Sequence, residues 1–331
     1  MKFSKHSLDL DPAAETDRIV ECLRRNVRQI MRRHGAVVGV SGGVDSAVVL
    51  ALSVRAFGAD KVCAVLMPDK DSEPLSAQLG REVAAHYAVE PILEDITAAL
   101  DGFGVYRKRD QAIRRHVPEY DASLGFKAKV VLPPNLLEDG SLNVFSVTVV
   151  RPDGSTVSKA LPAADFLEIM AASNFKQRSR MSMLYYHAEI RRFAVMGTAN
   201  RNEHDQGFFV KHGDGGVDIH VIGHLYKTQI YQLARHLDVP ESIRRRPPTT
   251  DTYSAPSTQE EFFFRLPFAI LDPLMHAREQ GVPAAAAAEA LGLTEIQVRR
   301  VFDDLERRLR TTSYLRLPAV EIPPALPTIP L

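Results

Sequence analysis

From residue 15 to 33 the apolar positions Ile19, Leu23, Val27, Ile30 and Met31 recur three to four apart, which predicts an amphipathic helix opening near Thr16 or Asp17. A β-branched run, Val37, Val38 and Val40, then reads as a buried strand. It enters a turn with Gly42 and Gly43, and a helix-compatible stretch over 47–54 leaves it. Residues 61–67 (KVCAVLM) predict a second strand, 73–87 a helix and 89–93 a third short strand. Strands alternating with helices imply an α/β fold: a doubly wound parallel sheet with flanking helices, its ligand site at the carboxyl ends of the strands.

Residues 103–161 break this rhythm. The stretch 142–150 (LNVFSVTVV) alternates, Pro152-Asp153-Gly154 signals a turn, and 156–160 can return as the partner strand. This predicts a β-hairpin insertion, preceded by a polar, basic segment at 106–115. Helical pattern resumes at Ala163 and runs to Arg192, with Asn174 as a point where it can break. A buried strand at 193–198 (FAVMGT) leads into a polar loop over 198–216, then a helix over 226–236. A last amphipathic helix falls at 294–310, and the alanine tract 284–288 is also helix-compatible. The proline-rich end, 318–331, predicts extended or loose chain. The expected organisation is an α/β domain over 1–251, carrying the insertion, then a helical C-terminal extension over 252–331 with a proline-rich tail from 317.

Composition narrows the function classes. The 331 residues hold 41 Lys plus Arg against 41 Asp plus Glu, so no global charge favours nucleic acid. The arginine pairs Arg24-Arg25 and Arg32-Arg33 read as solvated helix faces. No apolar run is long enough to span a bilayer, and the first residues lack the apolar core of a signal peptide. Cys22 and Cys63 give neither a disulfide framework nor a cysteine zinc site, so a reducing cytoplasm is expected.

The chemistry concentrates in the first glycine turn. Strand, glycine-rich turn and helix in that order aim backbone N–H groups and the positive helix end at one point, which suits phosphate. Ser41 and Ser46 add hydroxyls, and Asp45 can hold magnesium against phosphate oxygens. No lysine follows Gly43, so the Walker pattern is not met and transfer of a terminal phosphoryl group is disfavoured. Tight α/β packing is the plain alternative, but packing leaves Asp45 without a purpose. SGGVDS resembles the pyrophosphate loop of the ATP pyrophosphatases, which cleave ATP between the α and β phosphates and form an adenylated intermediate.

The second polar loop begins GTANRNEHDQGFFVKHGDGGVD. SGGVDS, NFKQRSRMSMLYYHA, GTANRNE, KHGDGGVD, LYKTQIYQLARHLDVPESI and PPTTD, in this order, resemble the ammonia-dependent NAD synthetases, which amidate deamido-NAD. The resemblance covers most of 15–102 and 166–251. It implies that Ser41, Gly42, Gly43, Val44, Asp45 and Ser46 bind ATP phosphates together with Thr198, Lys227 and Thr249. It further implies magnesium on Asp45 and Glu203, catalytic roles for Asp45 and Lys227, and contacts to the acid substrate from Arg178, Lys211, Asp214 and Asp218. Single carboxylates such as Glu203 or Asp218 also suit solvated surface. His220 and His224 are four apart, but Gly223 and the missing helix pattern argue against a zinc pair.

In such chemistry a carboxylate, a poor acyl donor, attacks the α-phosphorus of ATP and expels pyrophosphate; ammonia then displaces AMP from the acyl adenylate. Magnesium and lysine offset the charge that gathers on the phosphates. No Ser-His-Asp triad is needed, and none is read here. Three segments depart from the family pattern. Residues 257–265 read STQEEFFFR, with Gln259 kept but three phenylalanines added. A C-terminal His-Lys-Arg that reaches substrate across the family's dimer falls at Tyr314-Leu315-Arg316, where only the arginine matches. The 103–161 insertion is the third. NAD synthetase, a divergent ligase adenylating another carboxylate, and a silent nucleotide-binding protein all remain open at this point. The resemblance also implies a homodimer, fed by free ammonia or a separate glutamine amidotransferase.

Overall fold

The computed structural model describes residues 3–131, 136–137, 145–249, 253–255 and 258–322, the side chains of 261 and 262 apart. The first helix, α1 (Pro12–Arg24), opens on Asp11, whose carboxylate accepts the Ala13 and Ala14 N–H groups, and on a proline in its first turn. The chain then enters β1 (Ala36–Gly39), which passes through the glycine turn into α2 (Val44–Phe57), the helix against which α1 packs. Helix α2 is apolar on nearly all sides because it is packed between the sheet and other helices, as buried Val48, Val49, Leu50 and Leu52 attest.

Next come β2 (Val62–Leu66), α3 (Pro74–His86), β3 (Ile92–Leu93), α4 (Thr97–Gly102) and α5 (Val105–Arg114). The insertion continues with β4 (Lys127–Val131), β5 (Ser146–Val150) and β6 (Thr156–Ala160). A 29-residue helix, α6 (Ala163–Arg191), returns the chain to β7 (Ala194–Gly197), and α7 (Arg201–Gln206), β8 (Ile219–His220), α8 (Lys227–His236) and α9 (Glu241–Arg244) complete this part. Four helices end the described chain: α10 (Phe268–Glu279), α11 (Ala284–Leu291), α12 (Glu295–Thr311) and α13 (Ser313–Arg316).

The expected parallel sheet is present, in the order β3-β2-β1-β7-β8. Register pairs Ala36 with Val62 on one side and with Ala194 on the other, so β1 lies centrally with Val37 and Val38 fully buried. Strand order reverses between β1 and β7, which places the switch-point crevice beyond Gly39 and Gly197.

The insertion is larger than a hairpin. Strands β5 and β6 pair antiparallel as expected, with Val149 against Val157, but β4 joins β5 to make a three-stranded sheet. Residues 142–144 of the expected strand lie outside the described residues. The basic segment at 106–115 is mostly helix α5, whose Arg109 is buried. Helix α6 passes Asn174 without a break, and the polar loop after β7 contains α7. Among the described residues no helix is long and apolar enough to cross a membrane.

Candidate active site

The turn after β1 is tied together by its own serines. Ser46 Oγ donates to the Gly43 carbonyl at 3.0 Å and lies 3.2 Å from Ser41 Oγ. Gly42 has φ +75°, and a Cβ there would stand 2.5 Å from the Ser76 carbonyl oxygen, so only glycine fits. Gly43 is the extended N-cap of α2 and Val44 is buried beneath the turn. The first N–H groups of a 14-residue helix therefore face the crevice.

Asp45, in the first turn of α2, meets the other side of the crevice. Lys227 Nζ donates to its Oδ2, and Asn200 Nδ2 donates to its Oδ1 at 3.2 Å. Asn200 caps α7 reciprocally with Glu203: the Asn200 N–H meets Glu203 Oε2, and the Glu203 N–H meets Asn200 Oδ1, each at 3.0 Å. Gln259 Nε2 donates to the second Glu203 oxygen at 2.9 Å. Burial and the nearby Asp45 charge push the Glu203 carboxyl above its ordinary range, although Lys227 opposes this. Burial alone would lower the pKa of Lys227, but Asp45 and Glu203 outweigh it and hold the ammonium charged.

Lys227 is fully buried at the first position of α8. Its backbone N–H donates to Asn202 Oδ1 at 3.0 Å. Asp272 of α10 accepts from Asn202 Nδ2 at 2.6 Å and from the Thr228 N–H at 2.7 Å. The C-terminal helices thus supply the acceptor that fixes the start of the lysine helix.

A cavity of about 490 Å³ opens over the switch point. Ser41, Asp45, Ser46, Thr198, Glu203, Asp214 and Thr249 all line it. The Asp214 carboxylate accepts the Val210 N–H at 2.7 Å. Arg178, Lys211 and Asp218 do not line it, although each is one residue from a lining residue, Gln177, Val210 or Val217. Arg178 Nε donates to the Lys211 carbonyl at 3.3 Å, and Asp218 accepts from the Val195 N–H at 2.8 Å and from Tyr185 Oη at 3.1 Å. His224 turns to Glu15 at 2.7 Å, while His220 packs against the His204 ring, so the two do not converge.

The three segments that depart from the family pattern meet in this cavity. Phe145 of the insertion lines it and stacks on Phe166 at 3.8 Å. Gln259 and Phe263 come from the altered 257–265 segment, Phe263 stacking on Phe208 at 4.6 Å, and Tyr314 and Leu315 come from α13.

Sequence reasoning missed a buried charge network beside the cavity. Lys176 Nζ donates to Asp69 Oδ1 at 3.1 Å and to Asp71 Oδ2 at 2.6 Å; Arg180 reaches Asp69 and the Met67 carbonyl, each at 3.0 Å; Arg109 pairs with Asp71 and Asp110. Burial works against the Asp71 charge, yet Arg109 and Lys176 hold its carboxyl below the ordinary range. The network fixes the loop after β2, where Pro68 and Ser72 line the cavity. The spacing of Lys176 and Arg180, four apart on one face of α6, was the available signal.

A parallel sheet whose switch point carries a glycine turn at a helix N-terminus, two carboxylates and a buried lysine defines an α/β protein with a crevice suited to a nucleotide. A profile of the NAD synthase family matches residues 15–116 and 137–314. The NH(3)-dependent NAD(+) synthetase of Mesorhizobium japonicum is 49% identical over 308 residues, covering 93% of this chain and 96% of that protein. The protein of the same name from Thermotoga maritima is 37% identical over 246 residues, covering 74% of this chain and 80% of that one. The chain belongs to the NAD synthase family. Among solved structures, the NH3-dependent NAD synthetase of Campylobacter jejuni covers 95% of this chain and 100% of its own, with a TM-score of 0.60 at 21% identity. The NMN synthetase of Francisella tularensis gives 0.60 at 19% identity, covering 96% of this chain and 100% of its own. Both show the fold.

Proposed function

We propose that this chain is an ATP-dependent carbon–nitrogen ligase that amidates deamido-NAD with ammonia, releasing AMP and pyrophosphate. The observation that carries this reading is the meeting of Asp45, Glu203 and Lys227 at the switch point. It occurs in a chain 49% identical, nearly end to end, to an NH(3)-dependent NAD(+) synthetase.

In the first step a carboxylate oxygen of the acid attacks the α-phosphorus of ATP, forming the P–O bond of an acyl adenylate as pyrophosphate leaves. In the second, the ammonia lone pair attacks the acyl carbon, a proton is lost, and AMP departs with the electrons of the broken C–O bond. The turn 41–46 and the N-terminus of α2 receive phosphate oxygens, with Thr198 and Thr249 along the same wall. Lys227 brings a buried positive charge to the site where negative charge builds. Asp214 faces the acid substrate, with Arg178, Lys211 and Asp218 on segments bordering the cavity.

Asp45 and Glu203 fit magnesium: they are oxygen donors held together by Asn200, and magnesium characteristically takes one or two carboxylates with the phosphates. When bound there, the ion would neutralise phosphate charge. A cytoplasmic homodimer, using free ammonia or ammonia from a separate glutamine amidotransferase, completes the proposal.

The test is product analysis. Purified protein with magnesium, ATP, ammonium and deamido-NAD is expected to yield NAD, AMP and pyrophosphate. Pyrophosphate release with another acid, but none with deamido-NAD, would favour a divergent ligase. No acid-dependent release would overturn both.

A further inference from the structure

The C-terminal turn α13 is built onto the active site of its own chain. Arg316 lies on the end of α7, the helix that carries Glu203. Its guanidinium donates to the carbonyls of His204 at 3.0 Å, Asp205 at 3.2 Å and Leu309 at 2.7 Å, and to Thr312 Oγ1 at 3.2 Å. Lys211, in the loop that forms another wall of the cavity, donates from Nζ to the carbonyls of Tyr314 at 3.1 Å and Leu317 at 2.8 Å. The two cations therefore tie the turn to the end of α7 and to the loop that carries Lys211, each through backbone carbonyls.

The sequence is adapted to this docking. Gly207, which ends α7 at φ +74°, would place a Cβ 2.4 Å from the Thr312 side chain, so any larger residue would push the turn away. One turn earlier, Arg308 donates to the Phe263 carbonyl at 2.7 Å, and its guanidinium lies 4.7 Å from the centre of the Phe263 ring. Tyr314, Leu315 and Phe263 all line the cavity. These three bring aromatic and aliphatic surface to a lining that also holds Ser41, Asp45 and Glu203.

We infer that residues 313–317 form, in cis, a wall of the pocket for the ring-bearing part of the acid substrate. Tyr314 is a specificity-determining residue, and Arg316 and Lys211 are positioning residues that clasp the wall. This rests on the amide-forming reading above. It gives the segment aligned with a cross-dimer arm a local task, and gives Lys211 an action on substrate through the backbone it holds. Glu203 is held independently by Asn200 and Gln259, so loosening the clasp leaves the ATP end in place.

The experiment compares full-length wild type with Arg316→Met and Tyr314→Ala. Steady-state kinetics are measured for deamido-NAD and ATP, together with amide hydrogen exchange of Leu315 and Leu317, whose N–H groups bond within the turn. Arg316→Met is expected to raise KM for deamido-NAD about tenfold, the loss of charge-assisted bonds, with KM for ATP and kcat within about twofold. It should also abolish exchange protection at Leu315 and Leu317 but not in β1. Tyr314→Ala is expected to raise the same KM while keeping that protection, which separates wall contact from clasp. Retained protection in Arg316→Met, or equal rises in KM for ATP and acid in both variants, would overturn the inference. If Arg316→Met does not fold, the kinetics of Tyr314→Ala decide alone, because the Tyr314 side chain is exposed and its truncation leaves the core intact. If wild type makes no NAD, the ligase reading fails, and the exchange arm still reads the clasp by itself.

Discussion

Lys227 and Asp45 are 182 positions apart, yet the lysine ammonium donates to the aspartate carboxylate across the switch point. The pair is almost closed to solvent, with Glu203 close enough to feel both charges. Lys227→Met would remove the ammonium that compensates these carboxylates and the positive charge offered to phosphate. Pyrophosphate release is expected to fall by about 10²–10³ at saturating ATP and magnesium. Asp45→Asn should be comparably impaired and need more magnesium. Turnover within threefold of wild type in Lys227→Met would remove its catalytic assignment.

Gly42→Ala tests the turn itself. Alanine at φ +75° with the Ser76 carbonyl 2.5 Å from its methyl must move the backbone. The expected cost is about 1–3 kcal/mol of stability, read by urea unfolding, with weakened ATP binding by calorimetry. An unchanged affinity would mean that the turn's shape is not what binds phosphate.

Asp272 sets a pH dependence. Burial, the largest influence, raises its carboxyl from 3.8 to about 6 against the hydrogen bonds from Thr228 and Asn202. The folded chain holds this proton more tightly than the unfolded one. The stability it confers is full below about pH 3.8 and is lost as pH rises through about 6. Asp272→Asn lacks the titration and sets an amide against the Thr228 N–H, so it is less stable throughout. Its deficit should be larger at pH 4 than at pH 7 by roughly 2–3 kcal/mol, and a pH-independent deficit would contradict this.

Lys176→Met probes the charge network. It strips a buried ammonium from Asp69 and Asp71, leaving each carboxylate one arginine. Breaking such a pair from one side is expected to cost about 3–5 kcal/mol in urea unfolding. A change under 1 kcal/mol would show that the arginines suffice.

The sheet and its phosphate turn were readable because buried parallel strands are β-branched runs and glycine turns punctuate them. Strand β4 was hidden by its composition: Lys127 and Lys129 alternate with inward-facing Ala128 and Val130, so half of KAKVV resembles a charged loop. Helix α7 has six residues and owes its start to the Asn200 cap, too little for periodicity to register. Asp45, Glu203 and Lys227 could be assembled from motif order. Asn202 and Asp272 could not, because their bond joins positions 70 apart and no local pattern marks either. The buried network was harder to read for a related reason: charge in a sequence shows neither burial nor partner, so Arg109 was legible only as part of a polar, basic segment.

The bond from Asp272 to the start of the lysine helix orders events during synthesis. The β1 turn emerges from the ribosome early, while Asp272 follows Asp45 by 227 residues. Until then the Thr228 N–H and the Asn202 amide lack the Asp272 carboxylate, and the start of the lysine helix rests on the Lys227 N–H bond to Asn202 and the ammonium bond to Asp45. Unfinished chains are therefore expected to release pyrophosphate more slowly than the full chain. A chain stopped at residue 260 that released pyrophosphate at the full rate would refute this.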